Sequence, residues 1–212
     1  MIKVLNLYAC LGGNRLLWEN CEVIAVELDP ELARMYQERF PNDTVIVADA
    51  HQYLLNEYKK FDFVWSSPPC PSHSKSRFAR QSTTVSEYPD MKLYQEIIFL
   101  KHYFKGKYCI ENVDPFYTPL IPPQKRGRHL YWTNFRLPSI LSKRKGNFME
   151  GKNEVLKWCE FHKIDLSSYK GNQRKDKIAR NLVDYEAGKT IFNTAFNIIE
   201  SNKTNQLDLF TQ

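Results

Sequence analysis

Short apolar runs alternate with helical periodicities along the first half of the chain. IKVLNLY (2–8), CEVIAVEL (21–28), TVIVAD (44–49), FDFVWS (61–66) and KYCIENV (107–113) have the length and β-branched content of buried strands. Between them, PELARMYQERF (30–40) puts Leu32, Met35, Tyr36 and Phe40 on one helical face, with Asp29 as its cap. DMKLYQEIIFLKHYF (90–104) is a second amphipathic helix, and NRLLWEN (14–20) reads as a helical stretch after the first strand. DPFYTPLIPPQ (114–124) holds too many prolines for a helix. RHLYWTNFRL (128–137) predicts a sixth strand and EAGKTIFNTAFNIIES (186–201) a closing helix. Residues 138–173 are the least regular part, and 202–212 form a polar tail without repeats. Strands alternating with helices predict an α/β fold, a mostly parallel sheet with right-handed crossovers and helices on both faces.

Length changes this picture little: 212 residues suit one domain. No run approaches the ~20 apolar residues of a membrane span. The opening MIKVLNLYACLGG reads as a first strand and not as a signal peptide, so the expected compartment is the cytoplasm. Five cysteines, an odd number without CxxC spacing, argue against a disulfide framework or zinc ribbon. Cys159 and His162 are two ligands short of a metal site, and no metal is expected. Charge adds more. The net charge is +6, concentrated in QKRGRH (124–129), SKRK (142–145) and YKGNQRKDK (169–177), beside Tyr131, Trp132, Phe148 and Tyr169. Basic runs interleaved with aromatics suit a polyanion.

Candidate chemistry gathers at the strand ends. LYACLGGN (7–14) follows the first strand, and its glycines allow close backbone approach to a ligand. The second strand ends in Glu27, placed to take ribose hydroxyls, and the third in Asp49, placed to accept from an adenine amino group. Three successive strand ends on one rim point to an adenosine-containing cofactor. No GxxxxGKS cradle occurs, so S-adenosylmethionine, which carries no phosphates, fits better than a triphosphate.

FVWSSPPCPSHS (63–74) follows the fourth strand. Prolines at 68, 69 and 71 stiffen the backbone around Cys70, as a plain turn or as a mount for a nucleophilic thiol. IENV (110–113) ends the fifth strand and QKRGR (124–128) precedes the next. In this order, the sequence resembles the cytosine-5 DNA methyltransferases, over about residues 2–135 and 178–198. The resemblance implies a Rossmann-like S-adenosylmethionine-dependent methyltransferase that extrudes its target base from DNA. It implies that Cys70 adds to carbon-6 of cytosine, activating carbon-5. Glu111 would act at the ring nitrogen as acid–base group, Arg128 would hold the base carbonyl, Arg126 would support that loop, and Asn112 would orient neighbouring backbone. Tyr8 would lie against the adenine, with Leu11, Gly12 and Gly13 forming the turn and Glu27 and Asp49 the ribose and adenine contacts. Pro69 and Cys70 would border the methyl donor. RNLVDYEAGKTIFNTA (180–195) resembles the last motif of the family, with Asn181 packing back toward the cofactor.

Three departures shape the expectations. Cys10 stands where the family's turn has glycine, and would crowd the cofactor. Eleven residues (113–123) separate Asn112 from Gln124, so the sheet is expected to be one strand short. Residues 138–177 are small for a target-recognition domain. The organisation expected is 1–137 catalytic and cofactor-binding, 138–177 basic and target-contacting, 178–201 returning to the catalytic part, and 202–212 a flexible tail. Ser74, Lys143, Arg144, Lys145 and Arg174 are the DNA contacts expected, on a monomer. RNA or a free nucleotide as substrate, or a catalytically silent binding protein, are the alternatives. In the tail, Gln206, Leu207, Leu209 and Phe210 (QLDLF) resemble the pentapeptide by which bacterial replication and repair proteins bind the sliding clamp, which would fit a bacterial or phage setting.

Overall fold

In a computed structural model the chain forms seven strands and seven helices among its described residues, which are 1–79, 85–143 and 153–199. The strands are β1 (Ile2–Leu7), β2 (Cys21–Glu27), β3 (Thr44–Val47), β4 (Phe63–Ser66), β5 (Lys107–Val113), β6 (Gln124–Arg126) and β7 (His129–Thr133). They lie in one sheet of order β3-β2-β1-β4-β5-β7-β6. The first five are parallel, and β7 runs antiparallel between β5 and β6.

The helices are α1 (Pro30–Arg39), α2 (Ala50–Glu57), α3 (Lys75–Phe78), α4 (Lys92–Tyr103), α5 (Glu154–His162), α6 (Lys175–Asn181) and α7 (Tyr185–Ala195). The strand alternation directs two cores. On one face Leu5, Leu7, Val64 and Ile110 meet Leu54 of α2 and Leu93, Ile97 and Leu100 of α4. On the other Val4, Phe63, Trp65 and Cys109 meet Ile191 and Phe192 of α7, with Trp18 stacked on Phe192. A third cluster joins Leu11, Leu32 and Met35 to Trp158, Leu166, Tyr169, Ile178, Ala179 and Leu182.

The expected α/β class and mostly parallel sheet are present. The expected loss of a strand is not. Residues 114–123 cross without a helix, and the basic QKR segment itself pairs with β7 as β6 around Gly127, whose φ is +57°. Six strands were legible; the seventh is three residues long and polar. A second correction falls on 14–20, which forms successive turns, with Gly12 N–H donating to Ala9 O, Arg15 N–H to Gly12 O and Trp18 N–H to Arg15 O. Tertiary anchors override helix here: Asn14 Nδ2 donates to Asn6 Oδ1 at 2.8 Å, Arg15 pairs with Asp43 at 2.9 Å, and Trp18 Nε1 donates to Gly188 O at 3.0 Å. Asp29 caps α1 as expected, accepting from the Glu31 and Leu32 N–H groups. The closing helix ends at Ala195, and α5 occupies part of the stretch that reads as irregular.

Candidate active site

One cleft of about 590 Å³ opens at the carboxyl ends of the parallel strands, the location expected for ligands in open α/β sheets. Tyr8, Gly13, Glu27, Asp49, Pro69, Cys70, Glu111, Arg128 and Asn181 all line it.

The nucleotide half is built on backbone contacts. Tyr8 and Cys10 adopt left-handed φ of 55° and 47°, so the chain turns sharply off β1. Glu27, at the end of β2, fastens this turn: its Oε2 accepts from Cys10 N–H at 2.8 Å and its Oε1 from Asp29 N–H at 2.9 Å. Burial raises the Glu27 carboxyl above its usual range, against these two bonds. Each oxygen keeps further acceptor capacity toward the cleft. Asp49 caps α2 through Gln52 N–H at 2.8 Å, a bond that lowers its carboxyl pKa, and Lys92 Nζ stands 3.6 Å away. The Tyr8 hydroxyl donates to Glu96 Oε1 at 2.6 Å. Burial, with this carboxylate beside it, raises the phenol pKa.

Leu11 and Gly12 do not reach the cleft wall. Leu11 is core, and Gly12 (φ +65°) has no room for a Cβ, which would stand 2.7 Å from the Tyr36 ring. Gly13 lines the cleft but is also a packing glycine, since a Cβ there would meet Val183 O at 2.5 Å. No helix opens directly after this turn, and the starts of α1 and α2 at the cleft are capped by Asp29 and Asp49, whose carboxylates disfavour a phosphate there. The paired carboxylates, the tyrosine ring and the missing phosphate cradle fit a nucleoside without phosphates.

The thiol half comes from three strand ends. The β4–β5 register sets Ser66 beside Ile110, so the Pro-Pro-Cys segment after β4 begins next to Glu111. Asn112 locks it, donating from Nδ2 to Pro68 O at 3.0 Å while its Oδ1 accepts from Val113 N–H at 2.9 Å. The antiparallel register sets Val113 opposite His129, and Asp114 N–H donates to Arg128 O at 3.2 Å. The hairpin after β6 thereby brings Arg128 to the end of β5. Burial raises the Cys70 thiol pKa, the Glu111 carboxylate raises it further, and Lys177 opposes them.

Other expected residues fall elsewhere. Arg126 turns to the loop behind the hairpin, donating to Pro138 O at 2.6 Å, Leu137 O at 2.7 Å and Lys125 O at 2.8 Å. Arg126 is not among the residues that line the cleft. Ser74 bridges to Pro115 and opens α3. Lys143 N–H donates to Glu186 Oε2 at 2.7 Å, and Arg174 pairs with Asp176 at 2.9 Å. Arg144, Lys145 and the 206–210 segment lie outside the described residues. His129, Trp158, Gln173, Lys177 and Arg180 line the cleft unforeseen. His129 Nε2 stands 3.8 Å from Glu111 Oε1. Its place directly after Arg128 was the available signal, and Lys177 lay within a basic run already marked. Among the described residues no cluster could hold a metal ion, and no helix is long and apolar enough to cross a membrane.

Solved structures similar to the chain include a conserved hypothetical protein of Streptococcus pyogenes (13% identity, 62% of this chain and 84% of that one, TM-score 0.42). They also include a Spodoptera frugiperda DNMT2 mutant (21%, 55% and 37%, TM-score 0.40). A TehB-like SAM-dependent methyltransferase of Corynebacterium glutamicum is a third (17%, 53% and 55%, TM-score 0.35). A search of curated protein sequences finds no match. These structural likenesses are too distant to bear on activity. The family model for C-5 cytosine-specific DNA methylases, however, matches residues 2–119, more than half of the chain and the whole span from the glycine turn through Cys70 and Glu111. The chain therefore belongs to the C-5 cytosine-specific DNA methylase family.

Proposed function

We propose that the protein methylates carbon-5 of cytosine in DNA, with S-adenosylmethionine as methyl donor and Cys70 as covalent nucleophile. The observation that carries this reading is that Cys70, Glu111 and Arg128, from three separate strand ends, line one cleft with Glu27 and Asp49. Glu27, Asp49 and Tyr8 would hold the adenosine, and Asn181 would close over it. S-adenosylmethionine, when bound, supplies an electrophilic methyl group. Carbon-5 of cytosine is a weak nucleophile. When Cys70 adds to carbon-6 the ring becomes an enamine, and Glu111 holds the proton at the ring nitrogen that accompanies addition. Arg128 would stabilise charge developing on the base carbonyl. Carbon-5 would take that methyl group, its remaining proton would pass to solvent in the open cleft, the thiolate would be expelled, and the double bond would return. The target base must leave its stack to reach the cleft. The basic 138–177 region, with Ser74, Lys143, Arg144, Lys145 and Arg174, would contact the flanking DNA.

The test is methyl transfer by wild type and Cys70→Ser, alongside DNA carrying 5-fluorocytosine. Transfer and a covalent complex are expected in wild type alone, with cofactor affinity retained in the variant. Full transfer by Cys70→Ser refutes the assignment.

The QLDLF segment supports a second element of the proposal, recruitment by a bacterial sliding clamp, on sequence grounds. A tethered motif raises effective concentration at DNA, and Leu209 and Phe210 would fill an apolar pocket. A labelled 202–212 peptide is expected to bind purified clamp, and a Leu209→Ala, Phe210→Ala double variant to lose that binding. Equal anisotropy for the two peptides removes the clamp from the account.

A further inference from the structure

Beneath the cleft, Glu96 of α4 is completely buried, yet the chemistry above makes no use of it. A carboxylate out of water is costly unless its oxygens are satisfied. Here they are satisfied by three side chains from three different elements. Oε1 accepts from the Tyr8 hydroxyl at 2.6 Å and meets His51 Nδ1 at 3.1 Å, and Oε2 accepts from Ser66 Oγ at 2.6 Å. Tyr8 is the first residue after β1 and lines the cleft from a left-handed backbone conformation. His51 stands in the first turn of α2, two residues after Asp49. Ser66 is the last residue of β4 and directly precedes the Ser67–Cys70 segment that lines the cleft.

We propose that Glu96 is a positioning residue that ties the two halves of the site together. One carboxylate oxygen fixes the aromatic platform and the helix bearing Asp49, and the other fixes the strand end from which the thiol loop departs. The proposal rests on the cofactor reading given above. Three side-chain bonds hold the thiol loop at its base, Ser66 to Glu96, Trp65 Nε1 to Ser67 Oγ and Asn112 to Pro68. Of these three anchors, Glu96 is the one shared with the nucleotide half. The bond to Glu96 is also what raises the His51 pKa most.

Two variants that delete single atoms separate the arms, and a third removes the hub. Binding of S-adenosylmethionine is read by calorimetry. Iodoacetamide labelling of the Cys70 peptide, followed by mass spectrometry without cofactor, reads the thiol loop. Tyr8→Phe keeps the ring and loses its anchor, and is expected to weaken cofactor binding about fivefold, the worth of one hydrogen bond, with the Cys70 labelling rate unchanged. Ser66→Ala is expected to do the converse: labelling quickens as the loop base is released, and affinity holds. Glu96→Gln is expected to move both readouts, and if it fails to fold the two single-atom variants still decide. A role confined to folding would lower the melting temperature of Tyr8→Phe and Ser66→Ala without this split, which overturns the proposal. Absence of cofactor binding by the wild type removes the cofactor reading and this proposal together. Wild-type binding with unsplit variants removes this proposal alone.

Discussion

Cys70 illustrates how surroundings set a residue's resting state. Burial and the neighbouring Glu111 charge hold its thiol pKa above the ordinary value, so the neutral thiol is the form present near pH 7, and in the proposed reaction its proton would have to leave as the base engages. Cys10 shows a different balance. It lines the cleft with φ 47°, a conformation that costs a non-glycine residue about 1–2 kcal/mol. Glycine would relieve that cost but lose about 0.5–1 kcal/mol to the greater freedom of its unfolded chain. The difference, about 0–1.5 kcal/mol in favour of glycine, is opposed by the loss of Cys10 packing against the cluster of Leu11, Leu32 and Trp158, so Cys10→Gly is expected to change the melting temperature little. Burial pushes the Cys10 thiol up to about 12, so the substitution also removes no charge at neutral pH. What remains is shape. The glycine variant is expected to bind S-adenosylmethionine more tightly in a calorimetric titration, and equal or weaker affinity would show that the wall accommodates the side chain.

At the scale of elements, α7 and the turn after β1 are built against each other. Gly188 sits in α7 with its Cα over Asn14, and a Cβ there would overlap the Asn14 carbonyl. In an exposed helix, glycine to alanine gains about 1 kcal/mol. Here the overlap opposes that gain, and overpacking costs about 1–3 kcal/mol. Gly188→Ala is therefore expected to lower the melting temperature, and a rise would show that α7 shifts freely. The same contact explains what the sequence could and could not disclose. β1, β2, β4 and β5 were legible as buried apolar runs and β3 by its β-branched content, while α1 and α4 each bury one face. The 14–20 stretch misled because Asn14, Arg15 and Trp18 answer to Asn6, Asp43 and Gly188, the last two beyond any local window. β6 was hidden because its three polar residues carry no apolar pattern. Within the site, Cys70, Glu111 and the two acidic strand ends were legible because each adjoins a strand terminus. Trp158 and Lys177 were not, since their approach to the cleft depends on how the 153–182 segment folds back.

Over the whole molecule, that segment is the least expected feature. The described part of the basic region does not stand apart from the nucleotide half. Trp158, Leu166 and Tyr169 share a core with Leu32 and Met35, the Tyr169 hydroxyl donates to Asp29 Oδ2 at 3.1 Å, and Arg39 donates to His162 O. Its cations are still available to a polyanion at the surface: the Arg174 side chain is 82% exposed despite Asp176. If Lys143 and Arg174 each meet a phosphate, Lys143→Gln with Arg174→Gln is expected to reduce the slope of log affinity against log salt by about 2, with cofactor affinity retained. An unchanged slope would mark both as solvated charge. The contact between Trp18 and Gly188, 170 residues apart, also bears on how the protein is made. A ribosome adds about 5–20 residues per second, so the glycine turn waits many seconds between its own synthesis and that of the helix that backs it. During that interval the turn lacks its backing, with Trp18 without its Phe192 partner. The Arg180–Asp184 stretch is the last of the cleft lining to be synthesised, so a chain stalled before residue 180 would lack that wall of the cleft.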